Sequence, residues 1–341
     1  MISRSQRINA LSELGLFLND PQNQSIIDDW AYRANLKNNW FDPHLVKLSL
    51  SAIASKFLEK DILDTWVAQY PVVTEPIKIG VVMAGNIPAV GFHDILCVLV
   101  SGHQLLAKPS SDDQVLINLL LDKLIEIEPA LKNQIEIVER LNAADAYIAT
   151  GSDNTARYFH YYFSKKPHII RKSRSSVAVL TGQESKAELL QLGQDILLYY
   201  GLGCRNVSKL YVPVGYDFTV FYDAIETMAP SYLNHHKYFN NYEYNKSIVL
   251  INRVHHYDNG FLIAVENEAL VSPISMVHYE TYNSLEEVAT KLETQKEKLQ
   301  CIVTDSDLKL KSTVRIGNSQ FPEINDYADD VDTMHFLNNL I

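Results

Sequence analysis

The residue best suited to nucleophilic chemistry in this sequence is Cys204, which lies in the stretch 200–206 (YGLGCRN). Two glycines there let the backbone approach a ligand closely, and Arg205 supplies positive potential that favours a reactive thiolate. The same spacing also suits a loop cysteine without a chemical role. Cys97 and Cys301 stand in apolar stretches instead, and we expect both to be buried core residues.

An asparagine follows the first predicted strand. That strand is expected over 77–84, and the turn 85–88 (GNIP) joins it to a helix expected over 88–101. Ligands of doubly wound sheets bind beyond the carboxyl ends of the strands, so the Asn86 amide could hold an oxyanion or a ligand carbonyl there. An asparagine in this place could equally cap the helix.

Two more polar segments end predicted strands. The stretch 150–152 (TGS) offers N–H groups and a hydroxyl to a phosphate, although Ser152 also suits a helix N-cap. The stretch 108–110 (KPS) places Lys108 where it could contact a phosphate or ribose, or simply be solvated. The sequence contains neither a G-x-G-x-x-G fingerprint nor a phosphate loop. Its adjacent histidine pairs have the wrong spacing for a metal on one helical face, so no metal site is predicted.

The composition is that of a soluble globular protein. Hydrophobic residues make up 47% of the 341 positions, and the net charge of -11 opposes attraction to nucleic acid or anionic lipid. The polar start lacks the apolar core of a signal peptide, and no apolar run is long enough to span a bilayer. Three widely separated cysteines favour a reducing compartment. We therefore expect a cytoplasmic protein.

From about residue 77, short apolar runs alternate with helix-length segments, which predicts a doubly wound, mostly parallel sheet over 77–182 whose last strand is 177–180. The residues before it show helical spacing. We expect a helical preface and dinucleotide-binding domain in 1–182 and a second, catalytic α/β domain in 183–315. The segment 316–341 is expected to pack back or to pair between subunits.

Local signals place several helix ends. Asp42 and Pro43 read as an N-cap followed by proline at the first helical position. Ser284 and Glu287 have the spacing of a capping box. Further helices are expected over 112–128, 184–200 and 285–299.

The motifs occur in one order: GNIP at 85–88, SGH at 101–103 running on to KPS at 108–110, TGS at 150–152, and GLGC at 201–204 followed by Lys209 and Val212. This order and spacing resembles the aldehyde dehydrogenase superfamily over roughly residues 75–340. Within it the sequence is most similar to the bacterial long-chain acyl-CoA reductase (LuxC-like) family, with which the closing stretch 326–333 (DYADDVDT) also agrees. The resemblance implies an aldehyde-dehydrogenase-like α/β fold.

The resemblance also implies roles for individual residues. Cys204 matches the nucleophile, and Asn86 matches the amide that forms an oxyanion hole with the Cys204 backbone N–H. Lys108 matches the lysine that contacts the adenosine ribose or its 2′-phosphate, and Ser152 matches the hydroxyl near the pyrophosphate. Glu268 is a candidate for the nicotinamide ribose, although it lies one residue too far from Pro273 for a gap-free match. The cofactor-binding residues expected on this basis are Lys108, Ser110, Ser111, Thr150, Gly151, Ser152 and Glu268.

The sequence departs from the hydrolytic aldehyde dehydrogenases in two places. Their water-activating glutamate has no counterpart in the matching stretch 169–174 (IIRKSR), so an acyl-enzyme should persist until hydride or a thiol attacks it. Where NAD-preferring relatives often have a glutamate after the KPS motif, this chain has Ser111. A carboxylate there would repel a 2′-phosphate, so NADPH is the expected cofactor.

The function expected from this resemblance is NADPH-dependent reduction of an acyl thioester to an aldehyde through an acyl group on Cys204. The thioester is acyl-CoA or an acyl-protein, and we expect an acyl-transferring partner protein and a homo-oligomer. One alternative is a semialdehyde dehydrogenase or acyl-phosphate reductase of the same superfamily. Another is a non-catalytic scaffold with the same fold, which intact Cys204 and Asn86 argue against.

Overall fold

The computed structural model describes residues 2–340, and the chain forms two compact units. The first comprises the residues up to Ser173 together with those from Pro322 onward, and the second is Arg174–Phe321. The architecture is mixed α/β with a helical N-terminus, as predicted. None of the helices formed by residues 2–340 combines the length and the apolar character that a membrane crossing needs.

The first unit begins with the predicted helical preface. Its helices are α1 (Arg4–Asn19), α2 (Gln24–Lys37), α3 (Pro43–Phe57) and α4 (Lys60–Val67). As predicted, Asp42 caps α3 by accepting from the His44 N–H, and Pro43 stands at the first helical position, where no N–H is needed. Apolar residues of these helices, such as Leu14, Val46 and Leu63, are fully buried in the core that the preface shares with the sheet helices.

The sheet of this unit is parallel, with strand order β3-β2-β1-β4-β5. Its strands are β1 (Lys78–Val82), β2 (Gln104–Lys108), β3 (Ile135–Ile137), β4 (Ala146–Thr150) and β5 (His168–Arg171), and its helices are α5 (Phe92–Ser101), α6 (Gln114–Ile127) and α7 (Asp153–Phe163). The prediction that 177–180 belongs to this sheet is wrong, since that strand lies in the other sheet. The fifth strand is β5, which includes part of the stretch 169–174, for which no strand is predicted from the sequence.

The second unit contains a sheet of order β12-β11-β6-β7-β10-β9-β8, in which β8 pairs antiparallel with β9 and the other pairings are parallel. Its strands are β6 (Ser175–Val179), β7 (Val207–Pro213), β8 (His256–Asp258), β9 (Ile263–Glu266), β10 (Met276–Tyr282), β11 (Leu299–Val303) and β12 (Thr313–Val314). Its helices are α8 (Lys186–Leu197), α9 (Phe218–Ile225), α10 (Ala229–Leu233), α11 (His236–Ile251) and α12 (Leu285–Gln295).

The proposed capping box at α12 is only half formed. Ser284 accepts from the Glu287 N–H and so caps the helix. The Glu287 carboxylate, however, accepts from the backbone of Asn283 and not from that of Ser284. The start of the helix is therefore fixed as predicted, with the reciprocal bond shifted by one residue.

The C-terminal segment packs within the first unit and ends in α13 (Thr333–Asn338). Leu337 is fully buried, and its carbonyl accepts from Nε2 of buried His103 over 3.0 Å. The other ring nitrogen of His103 accepts from the Ile77 N–H. The SGH motif thus links the start of the sheet to the end of the chain. Burial lowers the pKa of His103, which keeps the ring neutral for this bridging role.

Candidate active site

The Cys204 loop lies between helix α8 and strand β7, with an exposed cysteine at its tip. Buried Asn206 holds the loop in place. Its side-chain oxygen accepts from the Gly203 N–H over 2.8 Å, and its amide nitrogen donates to three carbonyls at the end of α8, that of Leu198 at 2.7 Å. One side chain therefore satisfies the helix end and fixes the backbone around the thiol.

The segment just before this loop is strained. Tyr199 and Tyr200 have φ of 52° and 58°, in the left-handed region that side chains rarely adopt. The Tyr200 ring is buried and stacks on the half-buried His235 at 4.1 Å between centroids. The prediction of one helix over 184–200 is therefore wrong at its end, because α8 stops at Leu197 where tertiary packing turns the chain.

A serine joins the Cys204 loop to the second unit's sheet. The Ser176 hydroxyl on β6 donates to the Cys204 carbonyl over 2.9 Å and lies 3.1 Å from the Cys301 sulfur. Cys97 and Cys301 are both buried, as predicted. Burial raises the pKa of Cys301 to about 11, although Arg205 and the Ser176 hydroxyl oppose the shift. Cys301 therefore stays a thiol near neutral pH, and Cys204 is the exposed cysteine of the described chain.

Several of the other predicted residues lie together at the carboxyl edge of the first unit's sheet. The pairing aligns Val82 with Lys108 and with Ala149, so the segments that follow β1, β2 and β4 emerge side by side. These segments carry Asn86, Lys108, Ser110, Ser111, Thr150, Gly151 and Ser152. Cys204 and Glu268 belong to the second unit.

Asn86 is exposed in a turn and does not cap a helix, because α5 begins later than predicted, at Phe92 with Gly91 as its N-cap. The turn packs tightly against the KPS segment. A side chain on Gly85 would meet the Ser110 Cβ at 2.5 Å, so only glycine fits there. Ala89 closes the turn with φ of 54°. This backbone presents the Asn86 amide at the sheet edge.

The same edge suits an anionic dinucleotide. Lys108 is exposed at the end of β2, and Ser111 is exposed three residues later. Ser152 caps α7 by accepting from the Thr155 N–H, and its oxygen lies 2.9 Å from the Thr155 hydroxyl. A lysine, exposed hydroxyls and the N-terminus of an 11-residue helix form a site that fits phosphate groups.

A buried carboxyl group lies beneath the Asn86 turn. Asp113 is 1% exposed at the N-cap of α6, yet its side chain does not cap that helix. Neither of its oxygens has a hydrogen-bond donor among residues 2–340. Burial raises the pKa of Asp113 well above its usual value, the nearby Ala89 amide opposes this shift, and the Asp112 carboxylate adds to it. Burial thus favours the neutral, protonated form of this group.

This raised pKa predicts a pH-dependent stability that Asp113→Asn should remove. The folded protein keeps a proton that the unfolded chain loses near pH 4, so the stabilisation from that proton is complete below about pH 4 and lost as the pH rises to the folded pKa. Over that window the free energy of unfolding of the wild type should fall relative to the variant by up to about 1.4 kcal/mol per pH unit. Denaturant unfolding across pH checks this, with Asp122→Asn, at an exposed position of α6, as control. Parallel curves for the wild type and Asp113→Asn would contradict it.

The stretch 169–174, which lacks a general base, contributes Arg171 to a buried ion pair. Arg171 ends β5, and its guanidinium donates to both oxygens of Asp94 at 2.9 and 2.7 Å and to the Thr333 hydroxyl at 2.7 Å. Arg171 and Asp94 are 3% and 8% exposed. Burial alone would lower the pKa of Arg171, but the Asp94 carboxylate raises it. The Asp94 carboxylate, which is bonded to this stretch, is thus committed to an arginine and unsuited to activate water.

Two residues of this site escaped the sequence analysis as functional positions. In the sequence, Asn206 is recognisable only as the second residue after Cys204. The carbonyls it binds belong to the end of α8, and the position of that end cannot be predicted from the sequence. Asp113 precedes an apolar helix and looks like an ordinary N-cap. In the sequence, Asp113 is recognisable only as a carboxylate three residues after the KPS motif. The burial of the Asp113 side chain depends on tertiary packing.

A family model described as acyl-CoA reductase (LuxC) matches residues 35–220. The long-chain acyl-protein thioester reductase 2 of Photobacterium leiognathi is 20% identical over 220 residues, covering 58% of this chain and 46% of the relative. The long-chain acyl-protein thioester reductase of Aliivibrio fischeri is 24% identical with the same coverage. The chain thus spans about half the length of the curated relatives it matches.

Solved structures with low sequence identity, among them an aldehyde dehydrogenase, share the fold. Aldehyde dehydrogenase 21 from Physcomitrella patens matches with a TM-score of 0.70 and 11% identity, covering 99% of this chain and 84% of that one. HpcC from Thermus thermophilus matches with a TM-score of 0.69 and 13% identity, covering 93% and 74%. These likenesses confirm the predicted aldehyde-dehydrogenase-like fold.

Proposed function

The chain belongs to the acyl-CoA reductase (LuxC) family, and from that premise we propose that it reduces an acyl thioester to an aldehyde with NADPH, carrying the acyl group on Cys204. The observation that carries this proposal is the exposed Cys204 on a loop whose backbone is fixed by Asn206 and Ser176. A nucleophile held in one geometry loses less entropy on reaching the substrate carbonyl.

In the proposed reaction, the Cys204 thiolate attacks the thioester carbonyl and the substrate thiol leaves. The Asn86 amide and the Cys204 backbone N–H donate to the oxyanion of each tetrahedral state, and Cys204 leaves as thiolate when the aldehyde forms. NADPH supplies the hydride when bound. Lys108, Ser110, Ser111, Thr150, Gly151, Ser152 and Glu268 are the residues proposed to hold it.

The stretch 169–174, which matches the water-activating segment of the hydrolytic enzymes, contains no carboxylate, and this supports reduction over hydrolysis. Arg171 occupies the matching stretch, and its partner Asp94 is buried in an ion pair. A thioester on Cys204 would then be protected from water for long enough to be reduced.

The preference for NADPH is proposed from Ser111 and Lys108, both exposed at the edge where the resemblance locates the adenosine ribose. Ser111→Glu should weaken NADPH binding far more than NADH binding, on the order of tenfold or more, because its carboxylate would repel the 2′-phosphate. Ser111→Gln has nearly the same shape without the charge and serves as the control. Fluorescence titration of both dinucleotides measures the effect. Equal weakening of NADPH and NADH by Ser111→Glu would show that the phosphate is bound elsewhere.

The acyl donor is proposed to be acyl-CoA or an acyl-protein, the second because the two relatives are named as acyl-protein thioester reductases. A cytoplasmic location, self-association and an acyl-transferring partner protein belong to the same proposal. Incubating the protein with NADPH and acyl-CoAs of short, medium and long chains tests it. Aldehyde formed together with NADP⁺ is the expected product. Free acid without NADPH consumption would contradict a reductase.

A further inference from the structure

We infer that Ser208, Lys209 and His278 are positioning residues that immobilise the segment carrying Glu268 and so support cofactor binding through that carboxylate. This inference rests on the proposed function. It assigns a role to three residues that have none in that proposal. The segment is residues 267–275, which connects two parallel neighbours, β9 and β10. Because those strands are parallel, the connection must return along the sheet from the carboxyl end of one to the amino end of the next.

Three consecutive carbonyls of this segment each accept a side-chain hydrogen bond. Lys209 Nζ donates to the Glu268 carbonyl over 2.7 Å. His278 Nδ1 donates to the Ala269 carbonyl over 3.0 Å, and the Ser208 hydroxyl donates to the Leu270 carbonyl over 2.6 Å. An irregular connection seldom has a separate side-chain donor for each of three successive residues, since loop carbonyls usually face water. The backbone at Glu268 is therefore held in one conformation.

Two of the three donors are held rigidly because they are buried in the sheet, and Ser208 is half-buried on β7. Lys209 on β7 and His278 on β10 are paired residues, 0% and 5% exposed. The ammonium group of Lys209 is also paired with the Glu280 carboxylate, which offsets part of the cost of burying it. Burial lowers the pKa of His278 and neighbouring Lys209 adds to that shift. The imidazole is thus neutral, and Nδ1 carries the proton because a carbonyl can only accept.

The carboxylate on this fixed backbone is open to solvent. The Glu268 side chain is exposed, and its charge acts on the nearby Lys209 ammonium group. Three side-chain donors, two of them buried, thus fix the main chain around a residue whose own side chain is exposed. The exposed Glu268 side chain adds little to the packing of the core. Such an arrangement suits a carboxylate that is held in position to bind a ligand.

The Glu268 segment and the nucleophile loop are fastened to the same strand. The Ser208 hydroxyl lies 2.5 Å from the hydroxyl of Ser175 on β6. The next residue of β6, Ser176, holds the Cys204 carbonyl. Neighbouring residues of one strand therefore fix both functional segments of the second unit, which is what a positioning role requires.

Ser208→Ala is the sharpest variant because it removes one hydroxyl and leaves the Lys209 ion pair intact. We expect it to raise the dissociation constant for NADPH about three- to tenfold through loss of the bond to the Leu270 carbonyl, and it also removes the contact with the Ser175 hydroxyl. NADPH fluorescence measures this without turnover. Ser208→Thr retains the hydroxyl and should bind NADPH like the wild type. Thr304→Val is the matched control. The Thr304 hydroxyl follows β11 in the same unit and likewise makes two bonds, donating to the Val179 carbonyl over 3.0 Å and accepting from the Ser306 N–H over 3.1 Å, and its loss should leave NADPH binding unchanged.

A double-mutant cycle with Glu268→Gln shows whether Ser208 acts through Glu268. Glu268→Gln should itself weaken NADPH binding, and adding Ser208→Ala to it should cause little further loss. Acylation of Cys204 by acyl-CoA, followed by mass without NADPH, should be the same in all of these variants. The inference is overturned if Ser208→Ala binds NADPH like the wild type, if Glu268→Gln has no effect, or if the two losses multiply. Failure of the wild type to acylate Cys204 would instead overturn the proposed function.

Discussion

Replacing Cys204 with alanine should abolish the acyl-CoA-dependent oxidation of NADPH while leaving NADPH binding nearly unchanged. The thiol is exposed on its loop, whereas the proposed cofactor residues other than Glu268 lie at the sheet edge of the first unit. Without the sulfur no acyl-enzyme can form, so the chemical step has no alternative route. Turnover followed at the NADPH absorbance and binding followed by fluorescence separate the two effects.

The matched controls are the buried cysteines. Cys97→Ala and Cys301→Ala should act through packing, with a loss of unfolding free energy of roughly 1 kcal/mol and little change in rate. Cys301 is the more demanding control, because its sulfur lies 3.1 Å from the Ser176 hydroxyl that holds the Cys204 carbonyl. Turnover above a few per cent in Cys204→Ala would remove Cys204 from the role of nucleophile.

Removing the Asn86 amide should lower kcat on the order of 100-fold or more, because the oxyanion would lose one of its two proposed donors. Asn86→Ala deletes the amide. Asn86→Asp keeps the shape but places a negative charge where the oxyanion develops, so its loss should be at least as large. Both variants should bind NADPH like the wild type, since Asn86 is proposed to contact the oxyanion and not the cofactor.

Asn142→Ala, which alters another exposed asparagine near the amino end of β4, should retain full activity. Steady-state rates with saturating NADPH and acyl-CoA are the measurement. If Asn86→Asp were as active as the wild type, Asn86 would have no part in stabilising the oxyanion.

The features that the sequence predicts well are local. Asp42 with Pro43 starts a helix, and Ser284 starts another, because a cap acts on N–H groups two or three residues away. Cys97 and Cys301 are buried because their immediate neighbours are apolar. The carboxyl edge of the first unit is also predictable, since parallel strands bring together whatever follows them in sequence.

The features that the sequence analysis missed depend on distant partners. Tyr199 and Tyr200 continue a helical pattern, but the stack of Tyr200 on His235 and the burial of both tyrosines favour left-handed backbone there. The strand at Ser175–Val179 pairs with β7 and β11, and nothing in its composition distinguishes the sheet it joins. Asn206, Asp113 and the three donors to the Glu268 segment likewise have roles that only the folded contacts define.

The central claim, a persistent acyl group on Cys204, is tested most directly by intact-mass measurement of the protein mixed with acyl-CoA in the absence of NADPH. Because Arg171 and its buried partner Asp94 offer no base to activate water, we expect a thioester adduct that hydrolyses slowly. Added CoA should discharge it faster than water does, since a thiolate needs no base. Rapid release of free acid in plain buffer would contradict the account, pointing to a carboxylate such as Glu266 or Glu268 as a base and to an aldehyde-oxidising enzyme.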